Sequence, residues 1–95
     1  MSEGRIARHL VISGRVQGVW FRDWAVETAR GAGLDGWVRN RRDGAVEAIV
    51  AGPAHAVDMF TERCRQGPSR ASVEDLALSD WTEAVESGFT RKPTI

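Results

Sequence analysis

Three consecutive stretches decide how this chain folds: His9-Leu10-Val11-Ile12-Ser13, then Gly14-Arg15-Val16-Gln17-Gly18-Val19-Trp20-Phe21-Arg22, then Asp23 to Gly33. In the first, Leu10 and Ile12 alternate with His9, Val11 and Ser13, which predicts a strand over Arg8 to Ser13 with a buried face. In the third, Phe21, Ala25, Ala29 and Ala32 recur at spacings of four and three, with Trp24 and Val26 beside them. That is an amphipathic helix, and its alanine stripe lets it sit close to whatever it covers. Gly31 and Gly33 are stop signals for it. The middle stretch joins strand to helix through Gly14 and Gly18, which permit backbone angles closed to other residues. Such a loop turns several N–H groups toward one point, and the helix dipole adds to the field there. Arg22, in the first helical turn, brings a planar fork of donors. The pattern suggests a site for a phosphate-sized oxyanion. A glycine turn with a solvated arginine fits it equally well, so the loop alone does not decide.

Outward from this stretch, Leu34 to Asn40 reads as a second strand and Ala45 to Ala51 as a third. Arg41-Arg42-Asp43-Gly44 joins them, and Asp-Gly is a strong hairpin signal. In the third strand Val46, Ala48 and Val50 share one face, and Ala45, Glu47 and Ile49 the other. A second helix is expected from Pro53, suited to the first helical position, to Gly67-Pro68. Val57, Phe60 and Cys64 form its apolar stripe, with Ala56 and Met59 alongside. Val73 to Trp81 reads as a fourth strand with Leu76 and Leu78 on one face, and Thr82 to Ser87 as a polar loop. Gly88 to Arg91 is a candidate short last strand. The order strand–helix–strand–strand–helix–strand, with right-handed crossovers, implies an α+β ferredoxin-like sandwich (βαββαβ). Its sheet is mostly antiparallel, with both helices on one face. That fold hosts many functions.

With 95 residues, a single domain over 1–95 is expected. Thirteen basic residues balance thirteen acidic ones, which argues against a general nucleic-acid or membrane-surface binder. Every basic residue but Lys92 is arginine, and Ala and Gly are also abundant, which fits a genome-wide bias. Cys64 is the lone cysteine, so no intrachain disulfide or cysteine cluster exists. No apolar run approaches the ~20 residues of a membrane span, and the N-terminus lacks the apolar segment of a secretory signal. A soluble cytoplasmic protein is expected. The same element order occurs in a common single-stranded RNA-binding domain, which stacks bases on aromatics of its first and third strands. His9 to Ser13 and Ala45 to Ala51 carry none, so no nucleic-acid partner is expected.

Several chemistries drop out. A nucleotidase phosphate loop needs Gly, four residues, then Gly-Lys-Ser/Thr, whereas Gly14 and Gly18 have three residues between them and no lysine precedes Lys92. His9 and His55 have no metal-ligand spacing, so no metal or cofactor is expected. His9 reads as a strand residue, His55 as solvent-facing and Cys64 as a buried small hydrophobe. What remains is an anion site with Asn40 near it. Asparagine both donates and accepts, so it positions a water without acting as a base near neutral pH. Arginine, N–H groups and asparagine, with no general acid, suit phosphoryl transfer to water from a substrate with a good leaving group.

At this point Gly14-Arg15-Val16-Gln17-Gly18-Val19, followed after one position by Phe21-Arg22, resembles the first signature of the acylphosphatase family. Gly36-Trp37-Val38, Asn40, Asp43-Gly44 and Val46-Glu47 resemble its second. Gly52-Pro53 and Gly67-Pro68 match its second helix, and the resemblance covers about residues 8 to 81. It implies hydrolysis of the carboxyl–phosphate bond of acyl phosphates, the ferredoxin-like fold, a small-molecule substrate, no metal, and a monomer by default. It implies that Arg22 is catalytic and binds the phosphoryl group with N–H groups of the loop Arg15, Val16, Gln17, Gly18, Val19, Trp20 and Phe21. It implies that Asn40 orients the attacking water. Within that loop Gln17 reads as a brace, and Trp20 either lines the mouth or packs. Arg39, Arg41 and Arg42 either draw anions or form a solvated turn. The C-terminal Phe89-Thr90-Arg91-Lys92-Pro93 departs from the family's alternating apolar end. The alternative is a non-catalytic or specialised acylphosphatase-like domain, similar to the N-terminal part of a large carbamoyl-transfer protein of hydrogenase maturation that handles carbamoyl phosphate. The short chain and the presence of both Arg22 and Asn40 favour the enzyme.

Overall fold

The computed structural model describes residues 4–95. Elements follow as β1 (Arg5–Arg15), α1 (Phe21–Gly31), β2 (Asp35–Asn40), β3 (Val46–Pro53), α2 (Ala54–Gln66), β4 (Ser72–Asp80) and β5 (Phe89–Arg91). A central strand must be apolar on both faces, and β3 qualifies: Val46, Ala48, Ile49, Val50 and Ala51 are all buried. The sheet order is β4-β1-β3-β2-β5. The β1–β3, β1–β4 and β2–β3 pairs are antiparallel, and β5 lies parallel to β2. α1 packs over β2, β3 and β5, and α2 over β1, β3 and β4. Leu10, Ile12, Val38, Val46, Ala48 and Val50 meet Phe21, Ala25, Ala29, Val57, Phe60 and Cys64 in one buried cluster. Among the described residues no helix is long and apolar enough to cross a membrane.

The helix boundaries differ from the sequence expectation for local reasons. α1 begins at Phe21, two residues before the expected Asp23, because Trp20 takes a left-handed conformation (φ 66°) and its carbonyl accepts the Trp24 N–H at 3.0 Å. It ends at Gly31. Gly33 (φ 70°) donates to the Arg30 carbonyl and Leu34 to the Ala29 carbonyl, a Schellman closure that leaves Ala32 exposed at the cap. Pro53 is not the first residue of α2. It caps the helix in extended conformation (ψ 140°), with Ala54 first. Met59 faces solvent beside the buried stripe. Leu76 is buried as expected, but Leu78 is 44% exposed on the edge strand β4.

The C-terminal strand is real although its sequence lacks alternation. Phe89 supplies the one buried anchor and packs on Phe60, with ring centroids 5.8 Å apart. Asp35 holds the start of the strand: its Oδ1 accepts the Gly88 N–H at 2.8 Å, and its Oδ2 accepts from Arg5 at 2.9 Å. Those two contacts hold the Asp35 carboxyl below its usual range. Beyond β5, Lys92 N–H donates to the Val38 carbonyl and Ile95 N–H to that of Asn40, which extends the zip to the end of β2.

Gly36 lies opposite Val50 in the β2–β3 pair, with φ 135°, and a Cβ there would fall on the Ile49 carbonyl oxygen. Gly36→Ala is expected to cost about 3 kcal/mol or more, combining left-handed strain with a backbone clash. That is a large part of the 5–15 kcal/mol typical of a domain. Urea unfolding of the variant beside wild type measures it.

Candidate active site

The loop between β1 and α1 is shaped from below. Gly14 (φ 120°) carries a bulge where the β1–β4 register shifts, and the chain then leaves the sheet. Val16 and Val19 are buried and pin the loop to the core. Gly18 (φ 72°) reverses the path between them. Gln17 crosses to the β2–β3 turn: its Nε2 donates to the Arg41 carbonyl at 2.7 Å and the Ala45 carbonyl at 2.9 Å. Both amide hydrogens are thereby committed to bracing. Gln17→Leu is expected to lower kcat/KM for an acyl phosphate about thirtyfold, from two hydrogen bonds of about 1 kcal/mol each lost to loop order. Steady-state kinetics beside thermal unfolding checks it.

Among the described residues, the backbone N–H groups from Val16 to Arg22 donate to no protein acceptor. They belong to the loop and to the first turn of α1, where helix N–H groups have no intrahelical partner. Six residues of this stretch, Val16, Gln17, Gly18, Trp20, Phe21 and Arg22, border a pocket of about 260 Å³ together with Asp23, Asn40 and Arg91. Arg22 forms no ion pair or hydrogen bond with any described side chain, so its guanidinium is available to a ligand. Asn40 ends β2. Its backbone is tied to Val46 and Ile95, and its side-chain amide is left to the pocket.

Seven of the residues singled out in the sequence thus border one cavity: Val16, Gln17, Gly18, Trp20, Phe21, Arg22 and Asn40. Arg15 is exposed at the end of β1, and Val19 lies beneath the loop; neither lines the pocket. Trp20 is 71% exposed, so it stands at the mouth and does not pack. Its left-handed backbone is the one positive φ among non-glycine residues described, a strain of about 1–3 kcal/mol. Asp23 and Arg91 complete the lining and were not visible in the sequence as site residues. They are paired at 2.8 Å across 68 positions.

Arg39, Arg41, His9 and Glu47 are committed elsewhere. Arg39 Nε donates to Glu47 Oε1 at 2.8 Å and lies over the Trp37 ring. Arg41 pairs with Asp43 within its own turn, and Arg42 is exposed. His9 meets Glu47 Oε2 at 2.7 Å and stacks on Trp81. Burial pushes the Glu47 carboxyl up, but its hydrogen bonds with His9 and Arg39 outweigh this and hold it below its usual range. Burial pushes the Cys64 thiol up to about 12, which leaves it unreactive. Among the described residues no three His, Cys, Asp or Glu side chains gather as metal ligands would.

The acylphosphatase family model matches residues 8–91. An acylphosphatase of Rhizorhabdus wittichii is 53% identical over 91 residues, covering 96% of this chain and 92% of the relative. The solved acylphosphatase of Coxiella burnetii superposes with a TM-score of 0.89 at 31% identity, covering 93% of each chain. That of Bacillus subtilis gives 0.86 at 32% identity, covering 92% of this chain and 98% of the other. Full-length HypF, 24% identical and matched over 13% of its own length, shares the fold. On the family match across both signatures and on these relatives of the same length, this chain belongs to the acylphosphatase family.

Proposed function

We propose that the loop N–H groups and Arg22 hold the phosphoryl group of an acyl phosphate while Asn40 orients the water that attacks phosphorus. The activity is that of an acylphosphatase, hydrolysis of the carboxyl–phosphate bond to a carboxylate and inorganic phosphate. The observation that carries the division of roles is the stretch from Val16 to Arg22, whose N–H groups have no protein acceptor among the described residues and which, Val19 apart, borders the same cavity as a free guanidinium and Asn40.

Each element meets a demand of the reaction. Charge builds on the equatorial oxygens as phosphorus passes between two oxygens, and preorganised donors stabilise that charge without reorganising. Arg22 adds a full positive charge beside the helix dipole. The carboxylate leaves as a weak base, its acid having a pKa near the ~4.3 of a glutamate side chain, so no general acid is required. The Asn40 carbonyl oxygen accepts a hydrogen from the water and its N–H2 donates, which fixes the water in line. As the oxygen of water bonds to phosphorus, the phosphorus–oxygen bond to the acyl group breaks and its electron pair stays with the carboxylate. The proton lost by water ends on the phosphate product. On this reading the protein needs no metal. A monomer is the default for this family, and a lone buried thiol supports a reducing cytoplasm.

Hydrolysis of benzoyl phosphate in water enriched in oxygen-18, with a chelator present, tests the point of attack. Label in the released phosphate is expected. Label in benzoate would place the attack at the carbonyl carbon and remove the role given to Asn40.

A further inference from the structure

Beyond the loop, Arg22 and Asn40, the charged lining of the pocket is the pair Asp23–Arg91. Arg91 Nη1 donates to Asp23 Oδ1 at 2.8 Å, and the two side chains are 49% and 50% exposed. That bond occupies one donor of the guanidinium. It leaves Nε and Nη2 as a side-on fork of the kind that takes both oxygens of a carboxylate.

Topology sets which part of a substrate this fork meets. The phosphate-binding loop follows β1, and Arg91 ends β5, with β3 and β2 between them in the sheet. At about 4.8 Å per strand the two lie about 14 Å apart at the level of the sheet. Buried Val16 and Val19 close the loop side, so the acyl group extends toward the open rim where Arg91 stands. The pair is not needed to attach β5. Phe89 on Phe60, the Gly88–Asp35 hydrogen bond and Arg30 Nε donating to the Phe89 carbonyl at 2.9 Å already do so. Exposed ion pairs of this sort contribute about 0–1 kcal/mol to stability.

We propose that Arg91, positioned by Asp23, determines specificity for the acyl group, and that this enzyme favours acyl phosphates whose acyl chain carries a second, free carboxylate. The inference rests on the acyl phosphate reading above and extends it to the leaving group.

The test compares kcat/KM for 4-carboxybenzoyl phosphate with that for benzoyl phosphate. The ratio is read in wild type, Arg91→Gln, Arg91→Lys, Asp23→Asn and the Asp23→Asn/Arg91→Gln double variant, each checked for folding. Arg91→Gln is expected to lower the ratio about tenfold, mainly through KM of the carboxylated substrate, as for loss of a hydrogen bond to a charged group. Arg91→Lys, which keeps the charge but not the fork, falls between. Asp23→Asn shifts the ratio only where Arg91 is present, as a positioning role requires. A ratio within twofold of wild type in Arg91→Gln overturns the proposal, whether or not both rates fall together. Failure of wild type to hydrolyse either substrate overturns the acyl phosphate reading, and this proposal with it.

Discussion

Arg22→Ala is expected to lower kcat for an acyl phosphate by about 10³–10⁵, the range of an arginine serving a phosphoryl transition state. In barrier terms that is about 4–7 kcal/mol. The fold should not suffer. Arg22 bonds to no described side chain and sits in the first turn of α1, where its charge opposes the helix dipole. Replacing an unpaired cation there with alanine is expected to leave stability unchanged or raise it by about 0.3–1 kcal/mol. A residue that is electrostatically misplaced for its helix but rightly placed for an anion marks a function held against stability. Phosphate inhibition separates the roles, since Arg22→Ala should weaken binding of inorganic phosphate along with turnover. Turnover within threefold of wild type in the folded variant would refute the assignment.

Asn40→Ala is expected to lower kcat by about 10²–10³, the usual cost of removing one preorganised polar group from a transition state. The backbone of Asn40 stays paired with Val46 and Ile95, so β2 and the C-terminal zip persist. If Asn40 holds water and not the phosphoryl group, as proposed, inorganic phosphate binds the variant within about threefold of wild type. That contrast with Arg22→Ala distinguishes a water-positioning residue from an anion-binding one. Asn40→Ala with near-normal turnover, or with phosphate binding lost as in Arg22→Ala, would contradict the role.

What could be read from the chain follows the range of the forces involved. The strand at Leu10 and Ile12, the Asp43-Gly44 turn and the stop at Gly33 are local, and each stands where its residues require. The start of α1 was misplaced by two residues because the left-handed state of Trp20 is imposed by the loop around it, not by tryptophan's own preference. β5 was obscure because only Phe89 points into the core. The strand exists through parallel pairing with β2 and through Asp35, 53 residues before Gly88. The placement of Arg22 after the glycine loop and of Asn40 at the end of its strand was legible, and both border the pocket. The bracing role of Gln17 was legible too, although its acceptors, Arg41 and Ala45, were not. Arg91 was out of reach for the same reason as β5, since its place beside Asp23 depends on a pairing no local pattern encodes.

The most direct test follows release of benzoate and phosphate from benzoyl phosphate with a chelator present and a no-enzyme control for spontaneous decay. Wild type, Arg22→Ala and Asn40→Ala are run together, with circular dichroism to establish folding. Fast hydrolysis by wild type that persists with chelator and falls at least a hundredfold in both folded variants is the expected result. No hydrolysis above background by folded wild type would contradict the central claim and leave an anion-binding domain of this fold.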